Sequence, residues 1–413
     1  MLVSSRPLQV RTAAPGSIAR DRRDLFTGRL AAHAWTILPP IIACAATRGL
    51  VVAVSTGPRF FSLDPLWWAR WDSGNYGSIV QEGYFWTSCV AQGTPQLGKV
   101  CSNTTWYPGY PYLIKVATWF GLPLGESGVF IAVAFWIATV FALWVWFLRD
   151  GPRVRALGCL VVAACFPGVV YLQAFFPISM LTFFTVVAIH LMLRRRWWWA
   201  GAAAGLAGFV YPIGVVLVPV MMLWVLLVRF NVPLGKRLLF ALAEGALAFT
   251  GTFVVFVIQQ IQVGSWHASL TMQERLGTTL LNPLRSLVRI VVHQNTQVQN
   301  YPGDATTIAE PIAHQTLLVA LLITAVTLAV IVTWFQAHRV DRDELALLVL
   351  FAGMWIVPLA SFIETGIYRR EATLLPAAML LNRLPTPVVL AFAAACVYVA
   401  AQISPHFFDY RLI

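Results

Sequence analysis

Long apolar runs recur along almost the whole chain, separated by short polar or basic breaks. A helix needs roughly 20 mostly apolar residues to cross the hydrocarbon core of a bilayer. On that measure the pattern predicts eleven spans, at about 31–55, 126–148, 156–174, 176–193, 198–211, 212–228, 238–261, 314–336, 345–362, 373–384 and 386–404. Phe176-Pro177 joins one adjacent pair, and Tyr211-Pro212 joins another that could instead be one kinked element. Two long polar and aromatic loops, about 56–125 and 262–312, interrupt the series. A basic tail, 1–30, precedes a single transmembrane domain over 31–404, and a short tail, 405–413, follows it.

Composition agrees. Hydrophobic residues make up 59% of the 413 positions and charged residues 11%, where a soluble domain carries about 25% charged. Such a chain cannot cover a water-facing surface, so its surface faces lipid. Seventeen Trp and eleven Tyr suit aromatic belts at the two membrane faces. The net charge of +12 would suggest nucleic acid in a soluble protein. Here most Lys and Arg fall in the tail and in short loops, such as Arg194-Arg195-Arg196, while Asp64, Asp72, Glu82, Glu274, Asp304, Glu310, Glu364 and Glu371 fall on the other side. That asymmetry is the positive-inside rule, and no nucleic-acid partner is expected. It predicts a plasma (inner) membrane protein with a cytoplasmic N-terminus. Both long loops then face the periplasm or exterior, and an odd span count sends the C-terminus there too. Arg6, Arg11, Arg20, Arg22 and Arg23 run too long before the first apolar stretch for a cleavable signal peptide. No internal repeat of the kind common in secondary transporters stands out.

The first long loop carries the chemistry. Asp64-Pro65 reads as a helix start, with Asp as N-cap and Pro at the first position. The helix is predicted to run through Asp72 to Glu82, with Gly83 as its stop. Trp68, Trp71, Ile79 and Val80 share a face, so the helix is expected to lie in the membrane interface. Gly74 and Gly77 weaken a helix by roughly 1 kcal/mol each, which suggests close approach of a backbone or ligand. Asp72 sits among three tryptophans and a tyrosine. A poorly solvated carboxylate makes a better base; the alternative is that Asp72 pairs with Arg70 or caps a turn. Cys89 and Cys101 lie twelve positions apart in this polar loop, which in an oxidising compartment predicts a disulfide. The other four cysteines fall in apolar spans, as small hydrophobes do.

Trp71-Asp72-Ser73-Gly74-Asn75-Tyr76, then Glu82-Gly83-Tyr84, then Trp106-Tyr107-Pro108-Gly109-Tyr110-Pro111 resemble the first luminal loop of the PIG-V-like mannosyltransferases. These belong to the GT-C membrane glycosyltransferases. Gly264-Ser265-Trp266-His267 with Gln273-Glu274-Arg275-Leu276-Gly277 resembles the family's second large loop. Tyr368-Arg369-Arg370 with Pro376 resembles its late basic-aromatic element. Where the family usually has an acid in a "Y-x-E-S"-like element, this chain has Phe175-Phe176-Pro177-Ile178-Ser179. That departure bears on the acceptor and the sugar. The short loops and the Arg- and Ala-rich composition resemble a bacterial, actinobacterial-type member.

The resemblance implies an all-α polytopic GT-C-like fold with interfacial helices in the first long loop. It implies transfer of a sugar, mannose by family habit, from a polyprenyl-phosphate donor to a lipid or glycan acceptor on the outer face, by an inverting single displacement. Asp72 matches the family's first-loop acid, hence the general base. Arg369 and Arg370 match the late basic position, where planar guanidinium groups suit a phosphate; Arg275 is a further candidate for it. Trp71, Ser73, Tyr76, His267, Gln273, Glu274 and Glu371 are candidates to contact substrate. The alternative for the arginines is interfacial anchoring, and for the loop His and Glu simple solvation. Glu244 and Arg48 are suspects as charges in or beside spans. No cofactor or metal-cluster motif occurs, although a divalent cation on one or two carboxylates leaves no sequence signature. A lipid-linked sugar transporter or flippase, and a noncatalytic subunit of an envelope-assembly complex, are the competing classes.

Overall fold

A computed structural model of the chain describes residues 22–90, 100–229, 231–275, 279–280, 282–292, 306–362 and 366–409. Arg6, Arg11, Arg20, Leu276, Gly277, Asp304 and Glu364 lie outside them. The first span is α1 (Arg22–Ala53). The first long loop folds into α2 (Pro65–Trp68), α3 (Ser73–Gln81), a two-stranded ribbon of β1 (Trp86–Thr87) and β2 (Cys101–Ser102), and α4 (Gly109–Trp119). The spans continue with α5 (Leu124–Leu143), α6 (Arg153–Ala164), the short α7 (Val169–Gln173), α8 (Ile178–Leu193), α9 (Trp197–Val210), α10 (Leu217–Val228) and α11 (Leu234–Val263). The second loop holds α12 (Ala268–Arg275), β3 (Thr279–Leu280) and α13 (Pro283–Val291). Then come α14 (Thr306–Ala337), α15 (Arg342–Ala360), β4 (Ser361–Phe362), α16 (Ile367–Glu371), a 3-10 helix over Ala372–Arg383, and α17 (Thr386–Phe408).

Every predicted span has a helical counterpart, but they differ in kind. Among the described residues, six helices are long and apolar enough to cross a bilayer by themselves. The predicted 156–174 span is broken between α6 and α7, where Pro167 lacks an N–H and Gly168 takes a left-handed φ of 80°. The 373–384 span is the 3-10 helix, buried along most of its length. At about 2.0 Å per residue it reaches further than an α-helix of equal length. The last span runs on to Phe408, so residues 405–408 of the predicted 405–413 tail form its final turn.

The break at Tyr211-Pro212 is a hairpin rather than a kink. Gly201 faces Glu244 and Leu247 of α11, and Gly208 faces Thr252, so α9 runs parallel to α11. Gly214 abuts Ala207 and Gly245 faces Met222, so α10 runs back alongside. The turn over Tyr211–Val216 therefore lies at the end where α11 feeds the second loop. The α9–α11 contact is backbone on backbone: a Cβ on Gly251 would lie 1.7 Å from the Gly205 carbonyl oxygen. Small residues permit this approach, which supplies the packing that apolar side chains in lipid do not drive.

Both long loops gather at that same end. Gln262 of α11 accepts from the Tyr84 N–H (2.7 Å), and Gln259 donates to the Thr104 carbonyl (2.8 Å) while accepting from Ser269 N–H (3.1 Å). The end of α17 joins them through Phe408, edge-on to Trp68 at 5.0 Å. β3 pairs antiparallel with β4, tying the second loop to the strand that leads into α16. The basic loops lie at the opposite end. There Arg195 grips Asp343 through bonds of 2.7 and 2.8 Å, the Trp224 indole donates to the same carboxylate (2.7 Å), and Arg383 pairs with Glu344.

The predicted disulfide is present: Cys89 and Cys101 are bonded across the ribbon, with Cα atoms 4.9 Å apart. The other four cysteines are buried. Asn103, beside the ribbon, is fully buried; its amide accepts from Phe85 N–H and donates to Ser78 Oγ and the Gly83 carbonyl.

A Gly251→Leu substitution is expected to destabilise the protein by roughly 1–3 kcal/mol, because two backbones cannot yield as side chains do. Gly235→Leu, where nothing lies within 4 Å of an added Cβ, should be nearly silent. Thermal unfolding of both variants in detergent is the measurement, and equal melting temperatures would rule out the α9–α11 contact.

Candidate active site

The predicted single helix from Asp64 to Glu82 is two helices, and the break between them presents Asp72. Asp64 Oδ1 accepts from Leu66 N–H (2.9 Å) and starts α2 as expected, and Gly83 ends α3 with a φ of 80°. Between them Trp71 takes a left-handed φ of 48°. That conformation costs roughly 1–3 kcal/mol in a bulky residue and persists only where its surroundings impose it. Ser73 imposes it here. Its hydroxyl accepts from Arg70 N–H (3.0 Å) and lies within bonding distance of the Arg70 and Phe175 carbonyls (2.8 and 3.1 Å). Asp72 is left at the N-cap position of α3 with no capping bond from its side chain.

The carboxylate turns to the far end of the sequence. Asp72 Oδ2 pairs with Arg369 Nη1 of α16, with side-chain exposures of 23% and 14%. The expected alternative partner, Arg70, is buried, and its guanidinium donates to the Leu66, Ala69 and Phe408 carbonyls. Burial works against the charge on Arg369, but Asp72 and the phenols of Tyr211, Tyr368 and Tyr171 more than offset it, holding its pKa above the ordinary arginine value. Burial pulls that of Arg370 down, with Arg369 adding to the effect. The pair of arginines therefore forms a cationic patch with one carboxylate against it.

Other expected residues separate. Ser73 is buried and its hydroxyl is engaged in the turn, where it holds the loop. Tyr76 is buried edge-on against Tyr110 (5.8 Å) and Phe176 (6.4 Å), beneath the site. Trp68, Ile79 and Val80 are likewise buried in protein, so the apolar face of these helices is turned away from lipid. Trp71 is half-buried beside Asp72. No backbone approaches the two helix glycines: Gly77 meets only Leu124 Cδ2 at 3.8 Å, and Gly74 has open space. In the second loop His267, Glu274 and Arg275 are exposed and Gln273 is half-buried. Arg275 stands over the Trp86 ring at 5.4 Å, which places it at the ribbon and not at Arg369. Glu371 is buried, with Oε2 accepting from Gln315 Nε2 (2.8 Å). Arg48 stacks on Trp68 at 3.6 Å and donates to Phe60 O, Ser62 O and Gln173 Oε1, which makes it a support for the first loop. Glu244 lies between α9 and α11, away from these groups.

Three residues near the pair escaped the sequence reading. Tyr211 sits on the α9–α10 turn, close enough to Arg369 and Arg370 to bear on their ionisation. Tyr171 is buried with its ring 5.6 Å from Tyr368. Gln315 anchors α16 from α14. Only the Tyr-Pro step at the hairpin left a trace in the sequence. Among the described residues no group of three or more His, Cys, Asp or Glu gathers as a metal site.

Burial pushes the Glu371 carboxyl from 4.5 up to about 7. A folded-state pKa above the unfolded one gives stability that is fully present below the unfolded value and is lost as pH rises through the folded value. Melting temperature should therefore fall as pH rises from 4.5 to about 7, and Glu371→Gln should flatten that part of the profile. An unchanged slope in the variant would assign it to other groups.

No protein-family model matches this chain, and no curated protein does. Its fold matches solved structures. The oligosaccharyltransferase of Archaeoglobus fulgidus tethered to an acceptor peptide superposes with a TM-score of 0.52 at 13% identity, over 92% of this chain and 56% of that one. The same enzyme in the apo form gives 0.52 at 12% identity, over 91% and 56%. The chain thus spans little more than half the length of the structures it matches. At these identities the likeness is one of fold: this is an all-α, multi-pass membrane protein with a GT-C-like fold.

Proposed function

We propose that the chain is a membrane glycosyltransferase that takes a sugar, mannose on the first-loop resemblance, from a polyprenyl-phosphate donor and passes it to a lipid or glycan hydroxyl. The observation that carries this reading is the Asp72–Arg369 pair at the loop end of a GT-C-like frame. The donor is a phosphodiester with one negative charge. Its phosphate is drawn to Arg369 and Arg370, and there it competes with Asp72 for the Arg369 guanidinium. The carboxylate so released accepts the proton of the acceptor hydroxyl. The acceptor oxygen attacks the anomeric carbon as the bond to the phosphate oxygen breaks. The leaving polyprenyl phosphate keeps the electron pair, and the two arginines stabilise the charge that develops on it.

The charge asymmetry supports a site on the periplasmic or exterior face of a plasma membrane, with the N-terminus cytoplasmic. A transporter would gather its polar groups at mid-membrane. The position of Asp72, Arg369 and Arg370 on loop helices at one end supports surface chemistry instead. The donor needs no cofactor on this reading.

The test is transfer of radiolabelled mannose from polyprenyl-phosphate-mannose into a membrane lipid extract by the purified chain. Asp72→Asn should lower the rate by roughly 10²- to 10⁴-fold; because it leaves the Arg369 charge unpaired it should also lower the melting temperature, so the rate is compared well below the variant's melting transition. Arg369→Lys keeps the charge but loses the planar fork, so it should act chiefly on donor KM. A wild-type protein inert with mannose and with other lipid-linked sugars would sink the proposal.

A further inference from the structure

α16 carries both arginines, yet it is only five residues long. A helix that short has no stability of its own, so its neighbours decide where the guanidinium groups stand. Gln315 of α14 holds one side. It is fully buried, and its single amide nitrogen donates to the Tyr368 carbonyl (2.7 Å) and to Glu371 Oε2 (2.8 Å). Those two acceptors bracket Arg369 and Arg370 in the chain. Gly168 packs against the same segment. At its φ of +80°, a Cβ would lie 2.8 Å from the Tyr368 carbonyl oxygen and 2.9 Å from the Ala372 Cβ. The Thr373 hydroxyl donates to the Arg370 carbonyl (2.6 Å) and locks the exit into the 3-10 helix. The Tyr368 carbonyl is thus gripped by an amide from α14 and pressed by a glycine backbone from the turn before α7.

We propose that Gln315 is a positioning residue for the donor phosphate, with Gly168 as a second brace on the same Tyr368 carbonyl. The proposal rests on the reading of Arg369 and Arg370 as the phosphate-binding groups. Gln315 touches no substrate. It acts by fixing the segment from Tyr368 to Glu371, so that the Arg369 fork meets the phosphate without searching. Only an amide NH2 offers two protons from one nitrogen on a stem of this length, without adding a charge beside Arg369. Bidentate recognition depends on placement to about half an ångström, so a loosened α16 weakens donor binding before it harms the chemistry of bound donor.

The experiment uses the full chain in detergent or nanodiscs, with Gln315→Met, which keeps the volume and removes both donors. Three readouts are taken: kinetic constants for donor and acceptor, binding of polyprenyl phosphate without sugar, and melting temperature. Gln315→Met should raise donor KM and weaken polyprenyl phosphate binding by the same factor, roughly ten- to a hundred-fold. Acceptor KM, and kcat at saturating donor, should stay near wild type. Gly168→Ala should move donor KM the same way, by pushing on the Tyr368 carbonyl and Ala372. Asn382→Leu removes an amide bond to the Phe147 carbonyl (2.7 Å) at the far end of the 3-10 helix; it should lower melting temperature and leave donor KM alone. Should Gln315→Met not fold, Gln315→Asn keeps the amide one methylene short and should shift donor KM in the same direction. Unchanged donor KM and phosphate binding in a folded Gln315 variant, or an equal rise in Asn382→Leu, overturns the positioning role. A wild type that binds polyprenyl phosphate but transfers no sugar removes the transferase reading and leaves positioning to the binding measurement. A wild type that does neither removes both.

Discussion

Arg369 holds a charge with little water around it, at a side-chain exposure of 14%. An arginine cannot shed its proton to escape that cost, and a buried cation without a counter-charge is among the least tolerated groups in a protein. Asp72 supplies the counter-charge, and the two are separated by nearly 300 residues of chain. The structure therefore has to bring the first long loop and the segment before the last span to one point. Much of the polar bonding at that end serves this meeting. Ser73 fixes the turn that aims Asp72, while Gln315 and Gly168 fix the short helix that aims Arg369. In the mechanism proposed above, the same pairing makes the site responsive, since an anion arriving at Arg369 would release the carboxylate that holds it.

Neutral amides do most of the joining. Gln259 and Gln262 tie the first loop to α11, Asn103 ties the ribbon to α3, and Gln173 receives Arg48. Each offers donors and an acceptor on one small group, so it can satisfy buried backbone without bringing in a charge that must itself be paired. The ionic contacts at the opposite end are different: Arg195–Asp343 and Arg383–Glu344 join chain segments where basic loops already provide the cations. Among the described residues, one end of the molecule is thus held mainly by amides around the Asp72–Arg369 pair, and the other by ion pairs.

The spans, the two long loops and the disulfide were legible because each depends on local composition. Apolar runs, clustered arginines and two cysteines in a polar loop carry their meaning wherever the chain goes. The helix start at Asp64-Pro65 and the stop at Gly83 were legible for the same reason, as caps act within one turn. The break at Trp71 was not, because Trp favours neither conformation and the choice was made by Ser73 reaching Phe175 about a hundred residues on. Tyr76 and Glu371 read as substrate contacts because aromatic and acidic residues near a site often are. Their burial depends on what packs against them, and neither residue carries that information.

By itself the sequence determined that this chain lives in a bilayer, where its breaks fall, and which acid and which arginines were worth watching. Tertiary structure decided which of them meet. Asp72 could have paired with Arg70 two residues away, and local spacing favoured it. Arg70 instead sends its guanidinium to backbone carbonyls of α2 and α17, because its side chain is enclosed there. Opposite charges gain most where water is scarce. Where water is scarce is a property of the packed fold, set by elements from both ends of the chain, and not of any stretch of sequence.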